Sequence, residues 1–326
     1  MAPERDGAAA LAPDVSAYAN RLRKNARHWG KWARRQDISC YRVYDRDIPE
    51  FPIAVDIYGH KAHLQEFDTG WLCTPEEHSQ WVEGLRRATA EVLGLAREAV
   101  VFKLRERQRG MAQYGKIGVR GEDFEVGEGG HRFVVNLEAY LDTGLFLDHR
   151  NTRQMVQQRA RGRRFLNLFA YTGSFTVYAA AGGATESVTV DMSNTYQEWA
   201  RRNFRLNGLD PAKHRLVRAD VFAYLEEAVS RRDRCDLIVM DPPSFSNSKK
   251  MLDILDVQRD HVRLINQCLR LLSPGGELFF STNLRSFHLD GDALAPCVIE
   301  EISHLTVPED YRNKKIHRCW LIAGAA

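Results

Sequence analysis

Asp241 ends an apolar run and is followed by two prolines, a serine and the aromatic residue Phe245. The run 235–240 has strand character, and Pro242 and Pro243 hold the following backbone extended, because proline has a fixed φ and no N–H. A carboxylate and a ring presented at the end of a strand can grip a planar, polar base. We therefore take Asp241, Pro242, Pro243 and Phe245 as the candidate catalytic residues.

Three strand ends upstream carry residues that suit an adenosine-type ligand. Gly173 lies in the turn after the strand-like run 165–169, and Asp191 and Asp220 close the next two strands. Asp191 is placed to accept hydrogen bonds from both hydroxyls of a ribose, and Asp220 to accept from an adenine amino group. The single glycine and the lack of a Gly-Lys-Ser/Thr sequence argue against dinucleotide and nucleoside triphosphate sites. Helix capping explains any one of these residues, whereas an adenosyl site explains them together.

Alternating strand-like and helix-like segments between residues 165 and 281 must position these residues. Such alternation predicts a parallel sheet with helices on both faces, and ligands of such sheets bind outside the carboxyl ends of the strands. We expect a disordered tail over residues 1–13, a basic helix over 14–38, a small α+β accessory domain over 39–140, and the catalytic domain over 141–326. Within the accessory domain, the segment 105–130 is expected to form a long hairpin or a mobile loop.

Basic residues are clustered although the net charge of the 326-residue chain is only +3. The helical stretch near the N-terminus carries seven of them without an acid, interleaved with Trp29 and Trp32: Arg21, Arg23, Lys24, Arg27, Lys31, Arg34 and Arg35. Two further clusters cover residues 103–109 and 150–164. Solvated helix faces would explain one cluster, but three of them favour binding to the phosphates of a nucleic acid.

Several other classes of protein are disfavoured. No apolar run approaches the roughly 18 residues that span a bilayer, and the N-terminus lacks the apolar core of a signal peptide. The six cysteines are scattered, with no Cys-x-x-Cys pair. We therefore expect a soluble, cytoplasmic protein with reduced thiols, no membrane partner and no metal site.

The chain resembles class I methyltransferases that use S-adenosylmethionine. More narrowly, it is similar to the C-terminal, guanine-N7 half of the bacterial bifunctional 23S rRNA methyltransferases of the RlmKL type. The resemblance covers nearly everything after residue 14 and rests on the strings 19–25, 40–45, 140–150, 167–174, 189–193, 241–249, 256–261 and 316–322. The family's fused N-terminal half is absent, so the basic helix and accessory domain are expected to carry more of the RNA binding. The segment 281–286 also departs from the family's more Asn-rich pattern.

The resemblance implies a Rossmann-like α/β methyltransferase domain, S-adenosylmethionine as the cofactor and 23S rRNA of the large ribosomal subunit as the partner. It also places the segment 142–150 beside the methionine end of the cofactor. For His149, a polar residue at a helix start remains an alternative. The cofactor-binding candidates are Phe146, His149, Arg150, Asn167, Phe169, Tyr171, Thr172, Gly173, Ser174, Asp191, Met192, Asp220 and Val221.

The residues near Asp241 limit which atom of the base can be the methyl acceptor. Methylation of cytosine C5 proceeds through a cysteine thiolate, and neither 241–244 nor 281–283 contains a cysteine. Exocyclic-amine methyltransferases commonly place an aromatic ring directly after the prolines, where this chain has Ser244. Guanine N7 carries no proton, so Asp241 would orient the base rather than act as a general base. The alternatives left open are N2 of guanine, N6 of adenine, C5 of cytosine, and an rRNA-binding assembly factor that holds S-adenosylmethionine.

Overall fold

The computed structural model describes residues 14–67, 73–105, 121–140, 142–246 and 255–324. The chain divides into two compact units, residues 1–108 and residues 109–326. The tail expected over residues 1–13 and much of the segment 105–130 lie outside the described residues.

The first unit contains a four-stranded sheet and two helices. Its elements are α1 (Ser16–Arg35), β1 (Cys40–Asp45), β2 (Ile53–Tyr58), β3 (Lys61–Phe67), α2 (Pro75–Leu93) and β4 (Val100–Arg105). The strand order is β1-β2-β3-β4, and only β3 and β4 run parallel to each other, joined through α2. A capping box begins α2: Thr74 Oγ1 accepts from the Glu77 N–H, and the Glu77 carboxylate accepts from the Thr74 N–H.

One face of α1 is buried in the first unit. Tyr18 and Leu22 are fully buried and pack with Trp81 and Leu85 of α2. The Tyr18 hydroxyl lies 2.6 Å from Thr89 Oγ1. This apolar face fixes the rotation of α1, so the basic residues of the helix are turned to the opposite side.

The second unit contains a seven-stranded sheet with helices connecting its strands. Its elements are β5 (Phe124–Glu128), β6 (His131–Val135), α3 (Arg150–Arg159), β7 (Arg164–Leu168), α4 (Ser174–Ala181), β8 (Glu186–Asp191), α5 (Asn194–Leu206), β9 (His214–Arg218), α6 (Val221–Ser230), β10 (Cys235–Met240), β11 (Phe245–Ser246), β12 (Leu255–Asp256), α7 (Val257–Leu271), β13 (Leu272–Thr282), β14 (Cys297–Glu301), α8 (Ser303–Thr306) and β15 (Arg318–Gly324).

The strand order of the large sheet is β14-β15-β13-β10-β7-β8-β9. The five strands from β13 to β9 are parallel, and β15 is inserted antiparallel between β13 and β14. This arrangement confirms the expected α/β fold with a mostly parallel sheet. The chain builds outward from β7 through β8 to β9 and then crosses back to β10. The topological switch point therefore lies between β7 and β10, where such sheets bind their ligands.

The hairpin of β5 and β6 belongs to the second unit, whereas the accessory domain was expected to extend to residue 140. Its placement follows from hydrogen bonds with side chains of α5. Asn203 Oδ1 accepts from the Val134 N–H, Asn207 Oδ1 accepts from the Arg132 N–H, and Trp199 Nε1 donates to the Val134 carbonyl. Side chains of α5 thus satisfy backbone groups of β6 that would otherwise form an open strand edge.

The core of the second unit lies between the large sheet and its helices. Leu166, Ile238 and Phe280 on three adjacent strands are fully buried and pack with Leu225 of α6 and Leu264 of α7. The strand ends that carry the candidate residues therefore rest on rigid, close-packed elements. Among the described helices, none has the length and apolar character required to cross a membrane.

Candidate active site

The loop after β7 turns sharply at the carboxyl end of the sheet. Phe169, Tyr171 and Gly173 have φ values of 54°, 51° and 73°, in the left-handed region. A Cβ added to Gly173 would lie 2.8 Å from Phe204 Cε1 of α5. The glycine therefore allows the loop to approach a neighbouring helix, whereas the close approach expected from the sequence was to a ligand.

Asp191 supports this loop from the end of β8. Its Oδ2 accepts from the Tyr171 N–H at 2.9 Å, and its Oδ1 accepts from the Ser193 N–H at 2.8 Å. Burial raises the pKa of the Asp191 carboxyl to about 6, although the two backbone N–H groups act to lower it. The residue remains partly exposed, and each oxygen has a second lone pair. Asp191 can therefore still accept hydrogen bonds from a diol.

Asp220 lies at the end of β9 and caps α6. Its Oδ1 accepts from the Ala223 N–H at 3.1 Å, and the residue is partly exposed, as is Met192 after β8. Val221, the next residue, is buried in the core. Asp220 and Met192 are thus accessible to a ligand at the sheet edge, whereas Val221 packs in the core and is not.

The residues that begin the β7 loop have mainly internal roles. Asn167 is buried, and its Nδ2 donates to Thr176 Oγ1 at 3.1 Å. Thr172 is also buried, and its Oγ1 donates to the Gly144 carbonyl at 2.7 Å. Ser174 starts α4 and is partly exposed. Asn167 and Thr172 therefore hold the loop in shape rather than face a ligand.

The segment 142–150 lies against the β7 loop. The Gly144 N–H donates to the Tyr171 hydroxyl at 2.8 Å, which adds to the bond from Thr172. The Phe146 ring is 42% exposed, and its centroid lies 5.0 Å from that of Tyr171. The structure thus brings Phe146 and Tyr171 together at the rim of the loop.

Arg150 does not join this group. Its side chain is only 1% exposed, and its Nη1 lies 2.9 Å from Asp310 Oδ1. Its Nε lies 3.4 Å from Glu128 Oε2, and Arg153 contacts the other oxygen of the same carboxylate at 2.6 Å. A buried arginine with two carboxylate partners holds α3 in place, so the structure contradicts the expected role of Arg150 in cofactor binding.

The edge of the site expected to hold the target base is formed at the end of β10. Asp241 Oδ1 accepts from the Ser281 hydroxyl at 2.6 Å, and Asp241 Oδ2 lies 3.3 Å from His149 Nε2. Pro242 is buried and Pro243 partly exposed, which holds the carboxylate at the site's edge. Phe245 is 45% exposed. A fixed acceptor and an open aromatic face thus lie within five positions of the chain.

Asp148, His149 and His317 form a compact group beneath Asp241. The imidazole rings of His149 and His317 stack with centroids 4.5 Å apart and planes 9° apart. The His317 nitrogens lie 3.0 Å from Thr306 Oγ1 and 3.1 Å from Asp148 Oδ2. The potential metal-ligating atoms of the three residues lie within 4.8 Å of one another. Because the rings are parallel and His317 is occupied on both nitrogens, we attribute this spacing to hydrogen bonding rather than metal binding.

Sequence reasoning missed three residues of the site: Ser281, Asn283 and His317. Ser281 and Asn283 were in a segment to which no role was given, yet β13 is the parallel neighbour of β10, so its end must lie beside Asp241. The Ser244 hydroxyl donates to Asn283 Oδ1 at 2.5 Å, which ties the two strand ends together. His317 could not have been found in this way, because it reaches the site through the antiparallel insertion of β15.

The fold and the acceptors at the strand ends are those expected of a transferase that uses an adenosyl cofactor. Similarity to known proteins identifies the family. The chain belongs to the S-adenosylmethionine-dependent methyltransferases, whose family pattern it matches over residues 75–312.

Among its relatives is ribosomal RNA large subunit methyltransferase K of Neisseria meningitidis serogroup B. It is 59% identical over 309 residues, which are 95% of this chain and 87% of that protein. Ribosomal RNA large subunit methyltransferase K/L of Methylococcus capsulatus is 53% identical over 315 residues, and the match spans 95% of this chain but 43% of that protein. The crystal structure of SMU.776, complexed with SAH, has the same fold, with a TM-score of 0.73, 24% identity, and coverage of 96% of this chain and 82% of that chain.

S-adenosylmethionine fits the residues at the carboxyl edge of the sheet. Asp191 has a partly exposed carboxylate that could accept from ribose hydroxyls, and Asp220 would supply an acceptor on the next strand. The Phe146 ring lies against that of Tyr171 in the β7 loop, with centroids 5.0 Å apart. When bound, the cofactor supplies an electrophilic methyl group on a sulfonium, and the chain has to place an acceptor atom in line with it.

Proposed function

We propose that this protein methylates N7 of a guanine in ribosomal RNA of the large subunit. The relative from Neisseria, whose name states that substrate class, aligns over 95% of the chain. For the cofactor, we propose a site formed by the β7 loop (residues 169–174), Phe146, Asp191, Met192 and Asp220. The observation that carries the choice of N7 is the Asp241 carboxylate, which is held by Ser281 and has no exposed thiol beside it among the described residues.

Methylation at N7 requires the base to be positioned correctly but requires no proton transfer. The N7 lone pair is nucleophilic and carries no proton, so no general base is required at the target atom. Asp241 would accept hydrogen bonds from the N1–H and the amino group of guanine, on the opposite edge of the ring from N7. Phe245, which is 45% exposed, would stack on the face of the base. Together these contacts would turn N7 toward the methyl group.

Cytosine C5 chemistry is disfavoured by the state of the cysteines. Cys319 lies close enough to Asp241 for the carboxylate to affect the thiol electrostatically, but its side chain is fully buried. Burial, together with the Asp241 and Glu301 carboxylates, raises the pKa of the Cys319 thiol. Burial also raises the pKa of Cys235 to about 12. Neither thiol would form the thiolate that attack on a pyrimidine requires.

Methylation of an exocyclic amine is disfavoured by the loop after Asp241. In amine methyltransferases, the residue directly after the prolines commonly presents a ring to the amino group. Here that residue is Ser244, whose hydroxyl donates to Asn283 instead. The aromatic face follows one residue later, on Phe245.

We assign RNA binding to the first unit, and in particular to the exposed face of α1. Lys24, Arg27, Lys31 and Arg35 recur at spacings of three and four, so they share the face opposite the buried Tyr18 and Leu22. No carboxylate among the described residues forms a salt bridge with these four side chains. A helical face of unpaired cations suits the phosphates of RNA.

Product analysis tests the reaction. Ribosomal RNA from cells that lack the protein is incubated with purified protein and labelled S-adenosylmethionine, digested to nucleosides and separated by mass spectrometry. We expect 7-methylguanosine to be the labelled product. Labelled N2-methylguanosine, N6-methyladenosine or 5-methylcytidine would refute the choice of N7, and the absence of label would refute the enzyme itself.

A salt titration tests the proposed RNA surface. Lys31→Glu should weaken RNA binding and lower the slope of log K against log salt by about 1, since one phosphate contact is lost. The matched control is Arg87→Glu, an equally exposed basic residue of α2 that lies outside the four-residue face. An equal effect of both substitutions would show that only net charge matters and would refute the assignment to α1.

The substitution Asp241→Asn distinguishes an enzyme from an rRNA-binding assembly factor. If the protein acts mainly by binding rRNA, cells carrying Asp241→Asn should assemble ribosomes as well as the wild type, although methylation is lost. If methylation is the function that matters, the substitution should reproduce the defect of a complete deletion. Ribosome profiles on sucrose gradients distinguish the two outcomes.

A further inference from the structure

His149 lies at the bottom of the site with one nitrogen directed to Asp241. The residue is 6% exposed, and its Nε2 is 3.3 Å from Asp241 Oδ2. Its Nδ1 is buried and has no hydrogen-bond partner among the described residues. Stacking on His317 and the edge of Phe175 hold the ring in this orientation. Nε2 is therefore the nitrogen of His149 that faces acceptors, at 3.3 Å from Asp241 Oδ2 and 4.0 Å from Asp148 Oδ2.

Asp241 is thus contacted on both of its oxygens. Ser281 donates to Oδ1 at 2.6 Å from β13, and His149 lies 3.3 Å from Oδ2, at the end of a short 3-10 helix (Leu147–His149) that precedes α3. A carboxylate with a single partner can rotate about the bond between Cβ and Cγ, whereas one held at both oxygens has a fixed plane. The Asp241 side chain is 27% exposed, so this fixed plane is open to a substrate.

We infer that His149 is a positioning residue for Asp241, which it holds through a neutral imidazole with the proton on Nε2, and not a ligand of the cofactor. The inference rests on the proposed function, in which Asp241 orients guanine. A base that presents an N1–H and an amino group side by side needs two acceptor oxygens in its own plane. Ser281 and His149 would set that plane before the base arrives.

The neutral state of His149 matters for the chemistry. Methylation at N7 forms an N–C bond and breaks an S–C bond, releases no proton, and moves the positive charge from the sulfonium to the purine. An ionised Asp241 stabilises the cationic purine, and a neutral donor on Oδ2 leaves that negative charge in place. A protonated His149 would pair with the carboxylate and cancel much of this effect.

The surroundings of His149 favour the neutral form. Burial lowers the pKa of His149, as do His317 and Arg153, while the Asp241 and Asp148 carboxylates raise it. These groups come from β10, from the short helix, from α3 and from the segment before β15. At saturating S-adenosylmethionine, where the protonation of Asp191 does not limit the rate, kcat should therefore be constant around neutral pH and fall only in acid, when the ring becomes protonated.

Two substitutions of His149 distinguish the roles of its two ring nitrogens. Gln places its amide nitrogen near the position of Nε2, whereas Asn reaches only to the position of Nδ1. We expect His149→Asn to lower kcat about 10- to 100-fold with an unchanged KM for S-adenosylmethionine, and His149→Gln to restore most of the rate. At saturating S-adenosylmethionine, the fall of kcat in acid should also disappear in His149→Gln, because no ring remains to be protonated.

Three results would overturn the inference: equal losses in both variants with a raised KM for the cofactor, wild-type rates in both, or an unchanged acid limb in His149→Gln. Nitrogen NMR of the labelled wild-type protein supplies a test that needs no variant to fold. It should show the Nε2–H tautomer at neutral pH, and a cation or the Nδ1–H tautomer would refute the inference.

Failure of the proposed function would be recognised separately. Wild-type protein that makes a product other than 7-methylguanosine refutes the reaction, whatever the His149 variants do. Wild-type protein that makes 7-methylguanosine while the two variants behave alike refutes only the role of His149.

Discussion

We predict that Asp191 couples cofactor binding to pH, and the substitution Asp191→Asn tests this prediction. Burial raises the pKa of the carboxyl from 3.8 to about 6. A rise of about 2 units corresponds to about 3 kcal/mol of free energy. Because the pKa of this acid is higher in the folded state, its contribution to stability is present below pH 3.8 and is lost as the pH rises through 6. The folded protein therefore holds a charged group at neutral pH against a desolvation cost.

The two hydroxyls of a ribose would offset that cost, because hydrogen bonds from a ligand favour the ionised form. If S-adenosylmethionine binds only to the ionised carboxylate, its Kd should be about tenfold weaker at pH 5 than at pH 7. Asp191→Asn has one acceptor oxygen where the wild type has two, so the N–H of Tyr171 or of Ser193 loses its partner. We expect binding about 10- to 100-fold weaker at pH 7 and no dependence on pH between 5 and 7.

Calorimetric titration with S-adenosylmethionine at several pH values measures the first effect, and urea unfolding of the free protein measures the second. Between pH 4 and pH 7, Asp191→Asn should gain about 3 kcal/mol of stability relative to the wild type. Asp210→Asn serves as the control, since Asp210 is an exposed turn residue that accepts from the Ala212 N–H. Cofactor affinity that is constant from pH 5 to 7 in the wild type, or unaffected by Asp191→Asn, would refute the reasoning.

Three further predictions concern the rest of the site and its support. Asp241→Asn should lower kcat at least about 100-fold while calorimetry shows unchanged cofactor affinity, because the charge facing the cationic purine is lost; weakened cofactor binding would contradict the assignment to the target base. Phe245→Ala should raise the KM for RNA about 5- to 100-fold through the loss of stacking, whereas Val298→Ala, which removes another exposed apolar side chain, should leave steady-state methylation unchanged. Glu128→Gln should destabilise the protein by about 3–5 kcal/mol in urea unfolding, because two buried arginines lose their shared carboxylate; Glu125→Gln on the same hairpin should cost less than about 1 kcal/mol, since its pair with Arg132 is exposed.

The sequence predicted best those features whose physical cause is local. The strand-like run 235–240 coincides with β10, and the run 165–169 lies within one residue of β7 at each end. The capping box at Thr74 is likewise visible in the order of four residues. The strand-end carboxylates Asp191, Asp220 and Asp241 were likewise located, because parallel strands bring their carboxyl ends to one edge. The start of α7 also has a local cause, since the Asp256 side chain accepts from the N–H groups of Gln258 and Arg259.

What the sequence could not supply depends on contacts between distant parts of the chain. Arg150 looked like a cationic ligand for the cofactor, but Asp310, 160 positions away, occupies its guanidinium. The hairpin of β5 and β6 looked like part of the accessory domain, because nothing local reveals that amide side chains of α5 bond to its edge. Ser281 and His149 meet Asp241 only after the sheet has formed, so their shared role cannot be read from spacing.

The same long-range contacts determine when the active site can form during protein synthesis. Arg150 is held by Asp310 and Asp148 lies against His317, at separations of 160 and 169 positions. The segment that carries Phe146 and His149 therefore leaves the ribosome long before the partners that lock it in place. A nascent chain that stops short of residue 317 contains the sequence of β7 through β13 but lacks the imidazole that stacks on His149 beneath Asp241. We therefore expect the capacity to modify RNA to arise only at a late stage of synthesis, after residues 310 and 317 have been added.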